Sequence, residues 1–169
     1  MSDALKPAPI ADALRLSPQL SAIEQAVRHG CLLLDGEYYD EWLATCAPEF
    51  EYSIRAFSPE LRNEVVWLDK RRDGLGVLFK QLGTHERYKG QFRRVVGGTV
   101  LLQADAANGS FLVESSMTAY HTDLHGTSGL YCAGRYRDEF RFEAGVVLMT
   151  SRRAMLDTRR LPFGSHIPV

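Results

Sequence analysis

The sequence predicts an α+β domain in which about three N-terminal helices pack on a strongly curved antiparallel sheet. Three observations predict it. Apolar residues first recur at three- and four-residue spacing, later switch to alternation, and the alternating stretches are separated by short turns bearing Gly, Asn or Asp. Helices first and strands afterwards is the order expected of a sheet covered on one face by helices.

Residues 1–17 are rich in Ala and Pro and are expected to form an arm ordered only by its neighbours, with residues 18–169 as a single domain. Pro18 suits a first helical turn with Ser17 as N-cap, and Leu20, Ile23, Val27, Cys31 and Leu34 then form one apolar stripe. Asp35 and Gly36 interrupt it. Tyr39, Trp42, Leu43 and Cys46 begin a second stripe that Pro48 stops, so two helices meet at an elbow. Residues 50–57 alternate, with Tyr52, Ile54 and Ala56 on one side and Glu51, Ser53 and Arg55 on the other, as a strand does. Leu68, Leu75, Leu78, Phe79 and Leu82 return to helical spacing and predict a third helix within residues 59–82, broken near Asp73.

Beyond Gln91 the spacing predicts strands over residues 91–104, 110–122, 127–142 and 146–157, joined by turns at Ala107-Asn108-Gly109, at residues 123–126 and at Glu143-Ala144-Gly145. In the third of these, Leu130, Cys132, Tyr136 and Phe140 alternate with Arg135, Arg137, Glu139 and Arg141. One face should pack, and the other should meet water or a charged partner. Gly97 and Gly98 inside a strand predict a bend or bulge, consistent with strong curvature. Residues 161–169 form an apolar tail carrying Pro162, Gly164 and Pro168, which needs a surface to lie on.

A chain of 169 residues can bury one substantial core without disulfides or a structural metal. Its net charge of −1 supplies no basic field for nucleic acid and no polybasic run for a membrane surface. Cys31, Cys46 and Cys132 are odd in number and set among apolar residues, as reduced thiols are. With no secretory-signal pattern at the start and no run long enough to span a bilayer, a cytoplasmic protein is expected.

Leu34-Asp35 through Tyr39, Glu41, Trp42 and Leu43 to Phe50 and Tyr52, then residues 134–140, then Arg152-Arg153 with Leu156-Asp157 and the apolar end, together resemble the small (β) subunit of Rieske-type aromatic-ring-hydroxylating dioxygenases. That family is a branch of the cone-shaped, cystatin-like fold shared with nuclear transport factor 2 and scytalone dehydratase (NTF2-like, SnoaL-like). The resemblance covers the chain from about Leu20 onward. It implies a homotrimer of small subunits lying against three large (α) subunits, with the Rieske [2Fe-2S] cluster and the mononuclear iron in the large ones. It also implies that this chain is a scaffold in the catabolism of aromatic hydrocarbons, without an active site of its own. Gly164, Ser165 and His166 depart from the family's usual tail, and residues 67–72 look more like members acting on terephthalate or a small sulfonate.

The residues themselves agree that no cofactor is held here. A Rieske centre needs two Cys and two His on paired loops, and none of the three cysteines has a histidine at a suitable offset. His121, Asp123 and His125 are spaced by two, but on a straight strand the outer pair would lie about 13 Å apart, too far for one ion, so they are expected at a hairpin tip. Arg135, Arg137, Arg152, Arg153, Arg159, Arg160, Phe163 and His166 are candidates for a subunit interface, since arginines pair with carboxylates across such surfaces. The alternative is a stand-alone isomerase or dehydratase, or a small-ligand binder, with His29, Tyr38, Asp40, Tyr52 and His121 as candidate polar groups inside the cone. Removing the tail is expected to leave the fold soluble and reduce the assembly.

Overall fold

A computed structural model of the chain describes residues 6–82, 90–162 and 167–169. Three helices come first: α1 (Ile10–Arg15), α2 (Ser17–Asp35) and α3 (Tyr39–Ala44). Then follow β1 (Cys46–Ser58), β2 (Asn63–Arg71), α4 (Arg72–Gln81), β3 (Gln91–Asp105), β4 (Ser110–Thr122), β5 (Ser128–Glu143) and β6 (Val146–Leu156). The strands form one sheet in the order β2-β1-β6-β5-β4-β3. Neighbours are antiparallel except β1 and β6, which run parallel and so join the chain's first strand to its last.

Helix α2 lays Ile23, Val27, Cys31 and Leu34 into the core, as their spacing predicts. Each such side chain, moved from water to the interior, contributes about 1.5–3 kcal/mol. Its N-cap is Leu16 rather than Ser17, and no side chain caps it. Gly30 lets the helix approach α3 closely, since a Cβ there would come within 3.3 Å of Trp42 Nε1. The elbow is then pinned by rings: Trp42 meets Phe50 edge-on at 5.5 Å, and Tyr39 stacks on Phe79 at 4.4 Å. Within the expected arm, α1 is helical and the Ala8 N–H donates to the Leu101 carbonyl.

Three expectations need correction. The stretch predicted as one helix within residues 59–82 is a strand followed by a helix, with the change at Arg71–Arg72. Residues 63–68 hold two adjacent β-branched valines, and pairing with β1 overrides the leucine spacing that crosses the junction. The second helix of the elbow, α3, ends at Ala44, and Cys46 already belongs to β1. In β5, Leu130 is 57 % exposed, out of phase with Cys132, because the register slips between Ala119 and Tyr120 and sends Leu130 to the outer face.

The glycines and turns behave as read. The β3–β4 register shifts between Val96 and Thr99, across Gly97 and Gly98. Ala144 and Gly145 both have positive φ, 49° and 81°, as a two-residue hairpin turn between twisted strands requires.

Candidate functional site

The register brings polar groups into rows across the sheet's packed face. Tyr52 of β1 lies beside Arg152 of β6, which lies opposite Asp138 of β5. The Arg152 guanidinium donates to both Asp138 carboxylate oxygens, at 2.9 and 2.7 Å, and its central carbon sits 4.1 Å from the Tyr136 ring centroid. Both side chains are buried, so the carboxylate is what keeps the arginine charged: burial alone would lower its pKa, and Asp138 raises it. A second buried pair closes the other side. Arg94 of β3 donates to Asp35 at the end of α2, at 2.6 Å, and Arg93 approaches the same carboxylate at 3.7 Å.

Between these pairs lies the end of the tail. The Tyr52 and Tyr136 hydroxyls both donate to the main-chain oxygen of Val169, at 3.2 and 2.7 Å, and the Val169 N–H donates to the Tyr52 hydroxyl at 2.9 Å. Arg94 donates to the Pro168 carbonyl. Leu161 and Val169 are buried, so these two ends of the tail lie in the chain's own core. Its loss would therefore unsettle the fold itself, contrary to the expectation from sequence. Burial pushes both phenols well above the ordinary tyrosine range, so they remain hydrogen-bond donors.

Of the candidate polar groups, the structure buries Tyr52 and His121, while His29, Tyr38 and Asp40 are exposed. His121 packs against Phe92 at 5.0 Å between ring centroids. Asp123 caps its turn by accepting from the His125 and Thr127 N–H groups, at 2.8 and 2.9 Å, so Asp123 and His125 sit at a hairpin tip, while His121 lies within β4 rather than at the tip. Sequence reasoning missed Asp35, Arg94, Tyr136 and Asp138 as site residues. The signal was present: Asp138 falls in phase with Tyr136 and Phe140, and Arg152 with Ala154 and Leu156. Charges that share an apolar phase on neighbouring strands mark a buried pair.

The interface candidates divide. Arg152 is 1 % exposed and faces inward, so it leaves the charged outer face on which it was expected. Arg135 and Arg137 stay on that face near Glu114, with Arg137 Nη2 at 2.8 Å from its carboxylate. Arg153 and Arg160 are exposed, and Arg159 pairs with Glu60 at 2.7 Å. Phe163 and His166 lie outside the described residues. Beside Arg153 a cleft of about 400 Å³ is lined by Glu51, Arg55, Asp69, Glu139 and Ser151 among others, a surface of mixed charge.

Among the described residues the donors do not fit an iron group. Among the described residues no cluster of three or more His, Cys, Asp or Glu side chains could hold a metal ion. The three thiols are buried, and burial pushes Cys46 up to about 12 and Cys132 up to about 11, away from the thiolate a metal needs.

A curved, unclosed six-stranded sheet with helices at the N-terminus defines the cone-shaped NTF2-like class. The same fold occurs in a protein from Novosphingobium aromaticivorans described as a scytalone dehydratase, with a TM-score of 0.58, 18 % identity and coverage of 89 % of each chain. It occurs more closely in the β subunit of an aromatic-ring-hydroxylating dioxygenase of the same organism, at TM-score 0.76 and 22 % identity over 85 % of this chain and 92 % of that one. The benzoate 1,2-dioxygenase β subunit of Burkholderia mallei matches at TM-score 0.71 and 16 % identity, over 88 % and 97 %. No protein-family model matches the chain.

Sequence likeness narrows the class to a family. The chain is 39 % identical over 138 residues to the β subunit of 2-aminobenzenesulfonate 2,3-dioxygenase from an Alcaligenes species, covering 81 % of this chain and 90 % of that one. It is 34 % identical over 180 aligned positions to the hydroxylase β subunit of methanesulfonate monooxygenase from Methylosulfonomonas methylovora, covering 100 % and 94 %. The chain belongs to the family of β subunits of ring-hydroxylating and sulfonate oxygenases.

Proposed function

We propose that the chain is the scaffolding β subunit of a cytoplasmic Rieske oxygenase, assembled as three small subunits against three large ones. The large subunit holds the [2Fe-2S] cluster and the mononuclear iron; this chain supplies shape and contact surface and performs no chemistry. The observation that carries the reading is the full-length likeness to a β subunit. In support, Trp42, Phe50, Tyr52, Tyr136 and Phe140 are buried together with Val169 in one core.

The outer face is the contact surface in this reading. Arg135, Arg153, Arg159 and Arg160, with Phe163 and His166 of the tail, meet neighbouring subunits, and Arg137 is held for the same purpose by Glu114. Residues 1–17 are an N-terminal arm to the domain of residues 18–169, and its Ala8 and Leu16 pack against this chain's own core. The complex oxidises aromatic compounds, and the sulfonates in the names of two relatives favour a sulfonated one.

Co-expression of the chain with a large subunit of the family tests this. A mixed particle with equal numbers of each subunit, with oxygen uptake on an arylsulfonate, is expected. Separate elution of the two chains would overturn the assembly, and uptake on unsulfonated rings alone would overturn the substrate.

A further inference from the structure

Core residues are ordinarily held through their side chains. Pro168 and Val169 are held through their main chain, by side chains of three different strands: Tyr52 from β1, Tyr136 from β5 and Arg94 from β3. Two phenols converging on a single oxygen, with a guanidinium on the preceding carbonyl, grip a ligand's polar atoms while the Val169 side chain fills the apolar space, 2 % exposed. The arrangement is that of a receptor with its ligand in place.

The buried charges around that oxygen are paired one to one, Arg94 with Asp35 and Arg152 with Asp138, yet Arg152 Nη1, though buried, has no hydrogen-bond partner among the described residues. The phenols stay protonated and so add donors without charge. A spare guanidinium donor in addition to two phenol donors suits a strong acceptor such as a carboxylate.

We propose that the cone interior is a binding site for a small branched carboxylate, closed in this structure by the chain's own residues 167–169. The ligand's carboxylate takes the place of the Val169 oxygen between Tyr52 and Tyr136, and its branched apolar body takes the place of the valine side chain. The tail is the competitor. Tethered next to the site, it acts at an effective concentration of the order of millimolar, so the site opens to a free ligand only when the tail is out.

Full-length chain carrying Val169→Lys tests the site, because a cation in place of a buried valine beside two guanidiniums expels the tail. The probes are acetyl-Ile-Pro-Val with a free carboxylate and the same peptide as its amide, titrated by calorimetry. The carboxylate form is expected to bind at least about tenfold more tightly than the amide, as a hydrogen bond to a charged group exceeds one to a neutral group. Adding Tyr136→Phe should weaken it about fivefold. A folded Val169→Lys chain that binds neither peptide, or both equally, would overturn the proposal.

Wild-type chain gives a second reading if that variant does not fold. Carboxylate peptide at tens of millimolar should accelerate hydrogen exchange at the Val169 amide, and the amide peptide should not. An exchange rate unmoved by either peptide, or moved equally by both, would sink the idea.

Discussion

Replacing Arg152 by methionine keeps most of the side-chain volume and removes the charge. Asp138, whose side chain is 1 % exposed, then loses hydrogen bonds of 2.9 and 2.7 Å, and Tyr136 loses the cation 4.1 Å from its ring centroid. Breaking a buried pair from one side costs about 3–5 kcal/mol, because the remaining charge stays out of water without compensation. That is a large fraction of the roughly 5–15 kcal/mol that holds an ordinary domain together.

Urea unfolding followed by tryptophan fluorescence measures the change, with an unaltered slope confirming that the same surface is exposed. The double variant Arg152→Met with Asp138→Leu removes both charges and should recover to within about 1 kcal/mol of wild type, or exceed it. Arg137→Met is the control. Its pair with Glu114 is partly solvated, with side chains 14 % and 23 % exposed, and should contribute no more than about 1 kcal/mol. If Arg152→Met cost under about 1 kcal/mol, or the double variant were as unstable as the single, the buried-pair argument would fail.

Deleting residues 167–169 should lower the melting temperature of the isolated chain, since it exposes the Val169 pocket and leaves Tyr52, Tyr136 and Arg94 donors without acceptors; an unchanged melting curve would contradict the tail's place in the core. The three thiols should resist an aromatic disulfide reagent at pH 8 until the chain unfolds, because at a pKa of about 12 only about one Cys46 in 10⁴ is thiolate. Tyr52 and Tyr136 have folded pKa values raised above the unfolded value of about 10. Their contribution is therefore complete below pH about 10 and is lost as pH rises from there, each by at most about 1.4 kcal/mol per pH unit. Urea midpoints at pH 9, 10 and 11 should fall accordingly, and less steeply in Tyr52→Phe; a flat series would refute the shifts.

Local patterns were legible in the sequence, and long-range ones were not. The stripe on α2, the three hairpin turns and the Gly97-Gly98 irregularity follow from periodicity and from the conformations glycine permits. Strand β2 was hidden because Leu68, Leu75, Leu78 and Leu82 keep helical spacing across a boundary that only pairing with β1 decides. Leu130 was assigned to the wrong face because one slip of register inverts the alternation beyond it.

The candidate site was legible only in part for the same reason. Tyr52 and His121 could be named from residue type, but the partnership of Arg152 with Asp138 depends on β5 and β6 register, and that of Arg94 with Asp35 on how α2 crosses the sheet. The tail's apolar character was plain in the sequence. Its destination was not, because Val169 meets Tyr52 across 117 residues of chain.

Iron analysis of the two subunits purified together and apart tests the central claim most directly. The account predicts that all iron and acid-labile sulfide accompany the large subunit, that this chain alone contains none, and that the two reassociate into one particle of equal stoichiometry. Stoichiometric iron on this chain alone, or oxygen uptake by it unaided, would contradict it.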